Sequence, residues 1–182
     1  MRVKFNTEKF EEFISQYPVY EYRLLDTEGL HTRERVRTIC REECERYGTT
    51  WACPPAVGTL GECAEKIHSY EKAVFFSSVA EVSDALNMEE TLSTRRAHEE
   101  LTGEIAAFLR NEGYETYILS TESCDICGQC TYPQGQPCRY PERMHPCLES
   151  HGIVAAEIIE AEQMEYQLGI NTILWFSIIL FR

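Results

Sequence analysis

The chemistry-bearing residues of this chain are its cysteines, and four of them fall close together. Cys124, Cys127 and Cys130 stand at strict two-residue spacing, and Cys138 follows eight residues later. Thiolates at C-x2-C-x2-C spacing on one tight loop can hold three corners of an iron–sulfur cube, and a fourth thiolate completes the set. The segment therefore predicts a metal centre.

A second group of four cysteines lies earlier in the chain, as Cys40-x3-Cys44-x8-Cys53-x9-Cys63. It too supplies the four thiolates that a cubane cluster requires. Structural zinc also takes four thiolates but usually draws C-x2-C pairs from two separate places, a spacing that only the later group contains. Cys40 and Cys44 also fit a plainer role as small buried residues on one helix face. Cys53 precedes a proline, as in two-cluster ferredoxins whose last motif cysteine binds the other cluster, so crossed ligation stays open.

The ninth cysteine and the basic residues near the later group carry weaker signals. Cys147 stands where a helix could begin and could be a reactive thiol, but an incidental cysteine is the preferred interpretation. Arg139 and Arg143 adjoin the loop and could donate hydrogen bonds to cluster sulfurs or to an anionic substrate, or could simply be solvated. His145 is near enough in sequence to be considered as a ligand.

Composition limits the classes of partner. Thirty acidic against seventeen basic residues give a net charge of −13, which disfavours nucleic acid and anionic membrane surfaces. The N-terminal residues show no signal pattern, and the apolar run 173–181 is too short to span a membrane. We therefore expect a cytoplasmic protein whose reduced thiols bind metal rather than form disulfides. A chain of 182 residues fits one domain, residues 1–182.

Helical and strand patterns alternate along the chain, which predicts the α/β class with a mainly parallel or mixed sheet flanked by helices. Two Cys-rich metal-binding loops, 40–63 and 124–147, interrupt this alternation. A right-handed crossover through the helix at 88–111 would place Cys124 at the carboxyl end of the sheet. Predicted helices span about 7–17, 33–47, 63–70, 88–111 and 153–164; predicted strands span about 19–25, 73–82, 116–120 and 172–181.

Taken together, the cysteine motifs resemble a Cys-rich prokaryotic family of predicted metal-binding proteins, domain of unknown function 2284, common in strict anaerobes and methanogens. The resemblance covers nearly the whole chain and is carried by C-REE-C-ERYGTTWA-C-PP at 40–55, C-DIC-GQ-C at 124–130, Cys138-Arg139, and the segment 143–154. It implies iron–sulfur binding with no assigned reaction. By resemblance the motif cysteines are Cys40, Cys44, Cys53, Cys124, Cys127, Cys130 and Cys138, with Cys147 left outside.

Three functions fit these residues. The first is a redox protein with one or two [4Fe-4S] clusters that passes electrons to a partner protein. The second is an enzyme in which the cluster acts on a small substrate, and the third is a zinc-stabilised interaction module. No G-x-G-x-x-G, P-loop, nucleophile elbow or H-E-x-x-H motif is present, so whether the chain is an enzyme stays open.

The loop 124–146 holds four prolines and little apolar content, so its order should come from bound metal. We therefore expect Cys127→Ala to make this loop sensitive to protease while the rest of the chain stays resistant. Limited proteolysis with mass mapping of the cut sites measures this. Unchanged resistance together with unchanged iron content would contradict the assigned ligands.

Overall fold

A computed structural model describes residues 5–182, so the first four residues of the stretch without a signal pattern lie outside the described part. One four-stranded sheet forms the centre, in the order β1-β2-β4-β3. Every neighbouring pair in it is antiparallel. The strands are β1 (Val19–Asp26), β2 (Lys72–Glu81), β3 (Thr116–Leu119) and β4 (Thr172–Phe181). The helices are α1 (Thr7–Ile14), α2 (Glu34–Glu43), α3 (Leu60–His68), α4 (Met88–Asn111) and α5 (Ala155–Ala161).

The two central strands carry the core. Alternate residues of β2 point to opposite faces, so Ala73 and Phe75 enter one apolar cluster while Val74 and Phe76 enter the other. All four side chains are fully buried. A strand covered on both faces reads as a continuous apolar run, which is why β2 and β4 are the most hydrophobic segments of the chain.

Helices cover both faces of the sheet. Phe10 of α1 and Ile105 of α4 pack on one face, whereas Ile67 of α3 and Ile159 of α5 pack on the other. Asn87 caps the N-terminus of α4 through its side chain. Within residues 5–182, no helix combines the length and the apolar character needed to cross a membrane.

The prediction of a mainly parallel or mixed sheet is wrong, although the α/β class holds. The chain does cross from β2 through α4 to β3, and these two strands point the same way because each is antiparallel to β4. They are not neighbours, however, because β4 inserts between them and pairs with both. The apolar run at 172–181 gave no sign of which strands it would join.

Helix α2 is also shorter than predicted. It ends at Glu43, and Cys44 already has an extended backbone. Acidic side chains at the C-terminal end of a helix oppose its dipole, and Glu42, Glu43 and Glu45 stand at this end. The expectation that Cys40 and Cys44 share one helix face therefore fails, since only Cys40 is helical.

Truncating a buried side chain of β4 should destabilise the whole chain. Ile179 is fully buried and pairs with Val74 on one side and Ile118 on the other. We expect Ile179→Ala to lower the free energy of unfolding by about 2–5 kcal/mol, through lost apolar contact and a residual cavity. The matched control Leu86→Ala removes a side chain that is 88% exposed and should change it by less than about 0.5 kcal/mol. Similar losses in both variants, measured by urea unfolding, would contradict this core.

Candidate metal-binding site

The four cysteines of the later group surround one small cavity. Cys124, Cys127, Cys130 and Cys138 all line it, together with residues 50–52 from the earlier Cys-rich segment. All four side chains are partly buried. Burial raises the pKa of the Cys124 thiol, and the nearby Cys138 and Cys127 raise it further. The structure thus brings these four predicted ligands together.

The loop carrying these cysteines closes on itself through its own hydrogen bonds. Gly135 has a left-handed backbone, with φ of 64°, and this turn lets the Gln136 N–H donate to the Thr131 carbonyl at 3.2 Å. The Thr131 hydroxyl donates to the Pro137 carbonyl at 2.9 Å. The Arg139 guanidinium donates to the Gln129 carbonyl at 2.7 Å. These contacts join residues 129–131 to residues 136–139 and so fold the chain between Cys130 and Cys138 back on itself.

Residues 50–53 join the loop to the earlier group. The Trp51 indole N–H donates to the Gln136 carbonyl at 3.0 Å, and its ring meets Tyr132 edge-on at 4.9 Å. The buried Cys53 thiol donates to the Ser123 hydroxyl at 3.0 Å. Ser123 immediately precedes Cys124, so one short segment contacts both groups of cysteines.

Three cysteines of the earlier group lie near one another. Cys40 is in the last turn of α2, and its thiol is 3.8 Å from the Glu149 carbonyl oxygen. Burial raises the pKa of Cys40, and the neighbouring Cys44 and Cys53 raise it further. Cys44 is exposed and Cys53 is buried. These effects on Cys40 place its thiol near those of Cys44 and Cys53.

Cys63, the fourth predicted member, has different surroundings. Its sulfur accepts a hydrogen bond from the Arg37 guanidinium at 3.6 Å, and its thiol donates to the Val57 carbonyl at 3.5 Å. Arg37 also donates to the carbonyls of Gly58 and Ser150, at 2.6 Å each. No contact that the structure describes for Cys63 involves another cysteine.

Cys147, which the sequence left outside both groups, lies near Cys53. Its side chain is buried, and it pairs with Ser120 in an isolated parallel bridge just beyond β3. The pKa of Cys147 is raised well above its ordinary value, chiefly by burial, with Glu149 and Cys53 adding to the effect. The bridge joins segments 27 residues apart, so no local sequence pattern could have revealed this neighbour.

The side chains of residues 5–182 do not form a preformed site for a single ion. No three His, Cys, Asp or Glu side chains there converge closely enough to hold one metal. Four sulfurs around one zinc, at Zn–S distances of about 2.3 Å, would lie roughly 3.8 Å apart. In a cubane each thiolate binds a different iron, so the sulfurs stand further apart. Four thiols around one cavity fit such a group by the number and type of their donors.

A chain of buried polar groups begins at the centre of the sheet. The His98 ring contacts the Ser78 hydroxyl at 2.7 Å through Nδ1 and the Ser177 hydroxyl at 2.8 Å through Nε2. Ser177 lies 3.2 Å from the Ser120 hydroxyl, which donates to Glu99 Oε1 at 2.6 Å. Each buried hydroxyl along this chain thus has a partner, as burial of polar groups requires.

Glu99 extends this series of polar contacts to the cysteine loop. Its Oε2 is 3.2 Å from His145 Nε2, without hydrogen-bond geometry. Arg95, one turn earlier on α4, forms ion pairs with Glu99 and with Asp125. Asp125 follows Cys124 directly, so α4 and the sheet together support the loop at its start.

Comparison with known proteins gives one match. The sequence model of a family described as "Predicted metal-binding protein (DUF2284)" matches residues 23–181. No curated protein and no solved structure matches the chain. The matched range includes all nine cysteines.

The two most deeply buried histidines should make the fold sensitive to acid. Burial lowers the pKa of both His98 and His151 to about 3, from an ordinary value of about 6.5. Between these values the unfolded chain binds more protons than the folded chain, so stability falls as pH falls from about 6.5 towards 3. Each histidine should contribute a slope of up to about 1.4 kcal/mol per pH unit.

Urea unfolding across this pH range measures the slope. His98→Gln and His151→Gln should each reduce it, because glutamine binds no proton. A slope that neither substitution changes would contradict the neutral buried state of both rings.

Proposed function

Because the chain belongs to this family of predicted metal-binding proteins, we propose that it binds a [4Fe-4S] cluster through Cys124, Cys127, Cys130 and Cys138. The observation that supports this most strongly is the single cavity lined by all four thiols. A cubane needs four thiolates, and three of these four come from one C-x2-C-x2-C run.

The neighbouring residues suit the role of tuning such a centre. When bound, a [4Fe-4S] cluster supplies one-electron transfer, and its potential depends on hydrogen bonds, burial and nearby charge. Arg139 orders the backbone at Gln129, and Arg95 pairs with the Asp125 carboxylate beside Cys124. Trp51 packs edge-on against Tyr132 of the loop. Around this local shell the net charge of −13 should favour the oxidised state and lower the potential.

Electron transfer to a partner protein is the role that this site supports best. The excess of acidic residues suits docking on a basic surface of a redox partner, and such docking would be sensitive to salt. Reduced, metal-binding thiols further suit a cytoplasmic setting. Neither nucleic acid nor a membrane is part of this proposal.

A second function, redox catalysis on a small substrate, is favoured by a groove beside the loop. This groove is lined by Arg95, Arg143 and His145 together with Cys124. Arg143 stacks over the Tyr140 ring at 5.6 Å, whereas Arg95 pairs with acids. Acidic side chains, among them Glu99, Glu122 and Asp125, line the same groove, so Arg143 is a cationic side chain that a small anion would meet beside a candidate cluster ligand.

Anaerobic purification followed by iron, sulfide and zinc quantitation tests the proposal. We expect brown protein with about four irons and four sulfides for the loop cluster, and a broad visible absorption that dithionite bleaches. Cys130→Ser should lose this iron, whereas Ser93→Ala, on the exposed surface of α4, should keep it. Colourless wild-type protein that contains zinc but neither iron nor sulfide would overturn the cluster and favour the zinc-stabilised module.

A further inference from the structure

We propose that Cys147, rather than Cys63, completes the earlier group, so that Cys40, Cys44, Cys53 and Cys147 form a second metal centre. The inference rests on the proposed function to the extent that it requires metal binding through thiolates. It does not depend on the loop cluster itself, because it concerns a different set of four cysteines.

The first argument is the position that the backbone gives to Cys147. The Ser120 N–H donates to the Pro146 carbonyl at 2.8 Å, and the Leu148 N–H donates to the Ser120 carbonyl at 3.1 Å. These two bonds fix Cys147 opposite Ser120. Three residues further along the chain, Ser123 accepts the hydrogen bond from the Cys53 thiol. Cys53 and Cys147 are thus both held against the short segment 120–123.

The second argument comes from α2, which packs against the helical turn 149–151. The Cys40 thiol contacts the Glu149 carbonyl, two residues beyond Cys147. The Ser150 hydroxyl donates to the Cys147 carbonyl at 2.6 Å, and the Ser150 carbonyl accepts from Arg37, one turn before Cys40. Cys40 and Cys147 both therefore contact the short turn at residues 149–151, through its backbone or side-chain hydrogen bonds.

The third argument is that Cys63 already has a structural role. Its sulfur lies in the hydrogen-bond network of Arg37, which ties α2 to the carbonyls at Gly58 and Ser150. Its side chain is 1% exposed and belongs to the buried part of α3. The Cys63 sulfur of α3 accepts a hydrogen bond from the Arg37 guanidinium of α2. This contact accounts for the burial of Cys63 without a bound metal.

Burial of Cys147 also agrees with a ligand role. Cys147 is 9% exposed and Cys53 is 4% exposed, so a metal bound by their two sulfurs would be held away from solvent.

The test counts the metal atoms bound per molecule of the anaerobically reconstituted 182-residue chain. With both centres loaded as cubanes we expect about eight irons per chain. Cys147→Ser should lose about half of them, whereas the matched substitution Cys63→Ser should keep them all. In a Cys127→Ala/Cys130→Ala chain, whose loop site is removed, about four irons should remain, and adding Cys147→Ser should remove these.

Far-UV circular dichroism identifies variants that keep the fold, and Cys147→Ala is a second substitution that removes the thiol. Full metal content in a folded Cys147 variant, or loss of half the metal in Cys63→Ser, would overturn this inference and leave the loop cluster standing. Wild-type chain that binds neither iron nor zinc would overturn both the loop cluster and the second centre. Zinc counted in place of iron, and halved by Cys147→Ser, would support the second centre and contradict only the cluster.

Discussion

The insertion of β4 between β2 and β3 is the constraint on which the rest of this structure depends. This strand bonds along its whole length to β2 and along four residues to β3. Without it the crossover helix α4 would lead to a strand with no partner in the sheet. Its side chains also enter both apolar clusters, since Ile178 packs on one face and Ile179 on the other. Strand β4 therefore joins its neighbours within the sheet by hydrogen bonds. Its side chains also contact the helices on both faces of the sheet.

The position of β3 beside β4 also determines where the cysteines meet. The chain leaves β3 at Leu119 and continues as Ser120, which faces Cys147, and Ser123, which faces Cys53. Residues 50–53 then reach from this point to the loop cavity. Cys53, Cys124 and Cys147 thus all lie close to the short segment 120–123. This proximity would allow electron exchange between the two proposed centres, which spacing in the sequence could not indicate.

Much of the secondary structure and one group of cysteines could be predicted from the sequence, and the wrong predictions have identifiable causes. The helix 88–111 and the strand 172–181 were predicted with the bounds that the structure shows, because both carry long periodic or continuous apolar patterns. The loop cysteines could be grouped because their spacing is short. Sheet direction was mispredicted because strand order depends on long-range pairing, and periodicity does not encode partners. For the same reason the sequence did not reveal the neighbours of Cys147, which come from α2, residue 53 and the end of β3.

The order of the elements along the chain has a consequence for biosynthesis. Because β4 follows all nine cysteines, every thiol leaves the ribosome before the strand that completes the sheet. Until that strand docks, β2 and β3 lack their common partner, and the segment 120–123 has no fixed position relative to Cys53 and Cys147. Final assembly of the thiol sites therefore waits for a strand that is synthesised after every cysteine. During that interval nascent chains carry nine unconstrained thiols, a state in which oxidation or capture of a wrong metal competes with folding.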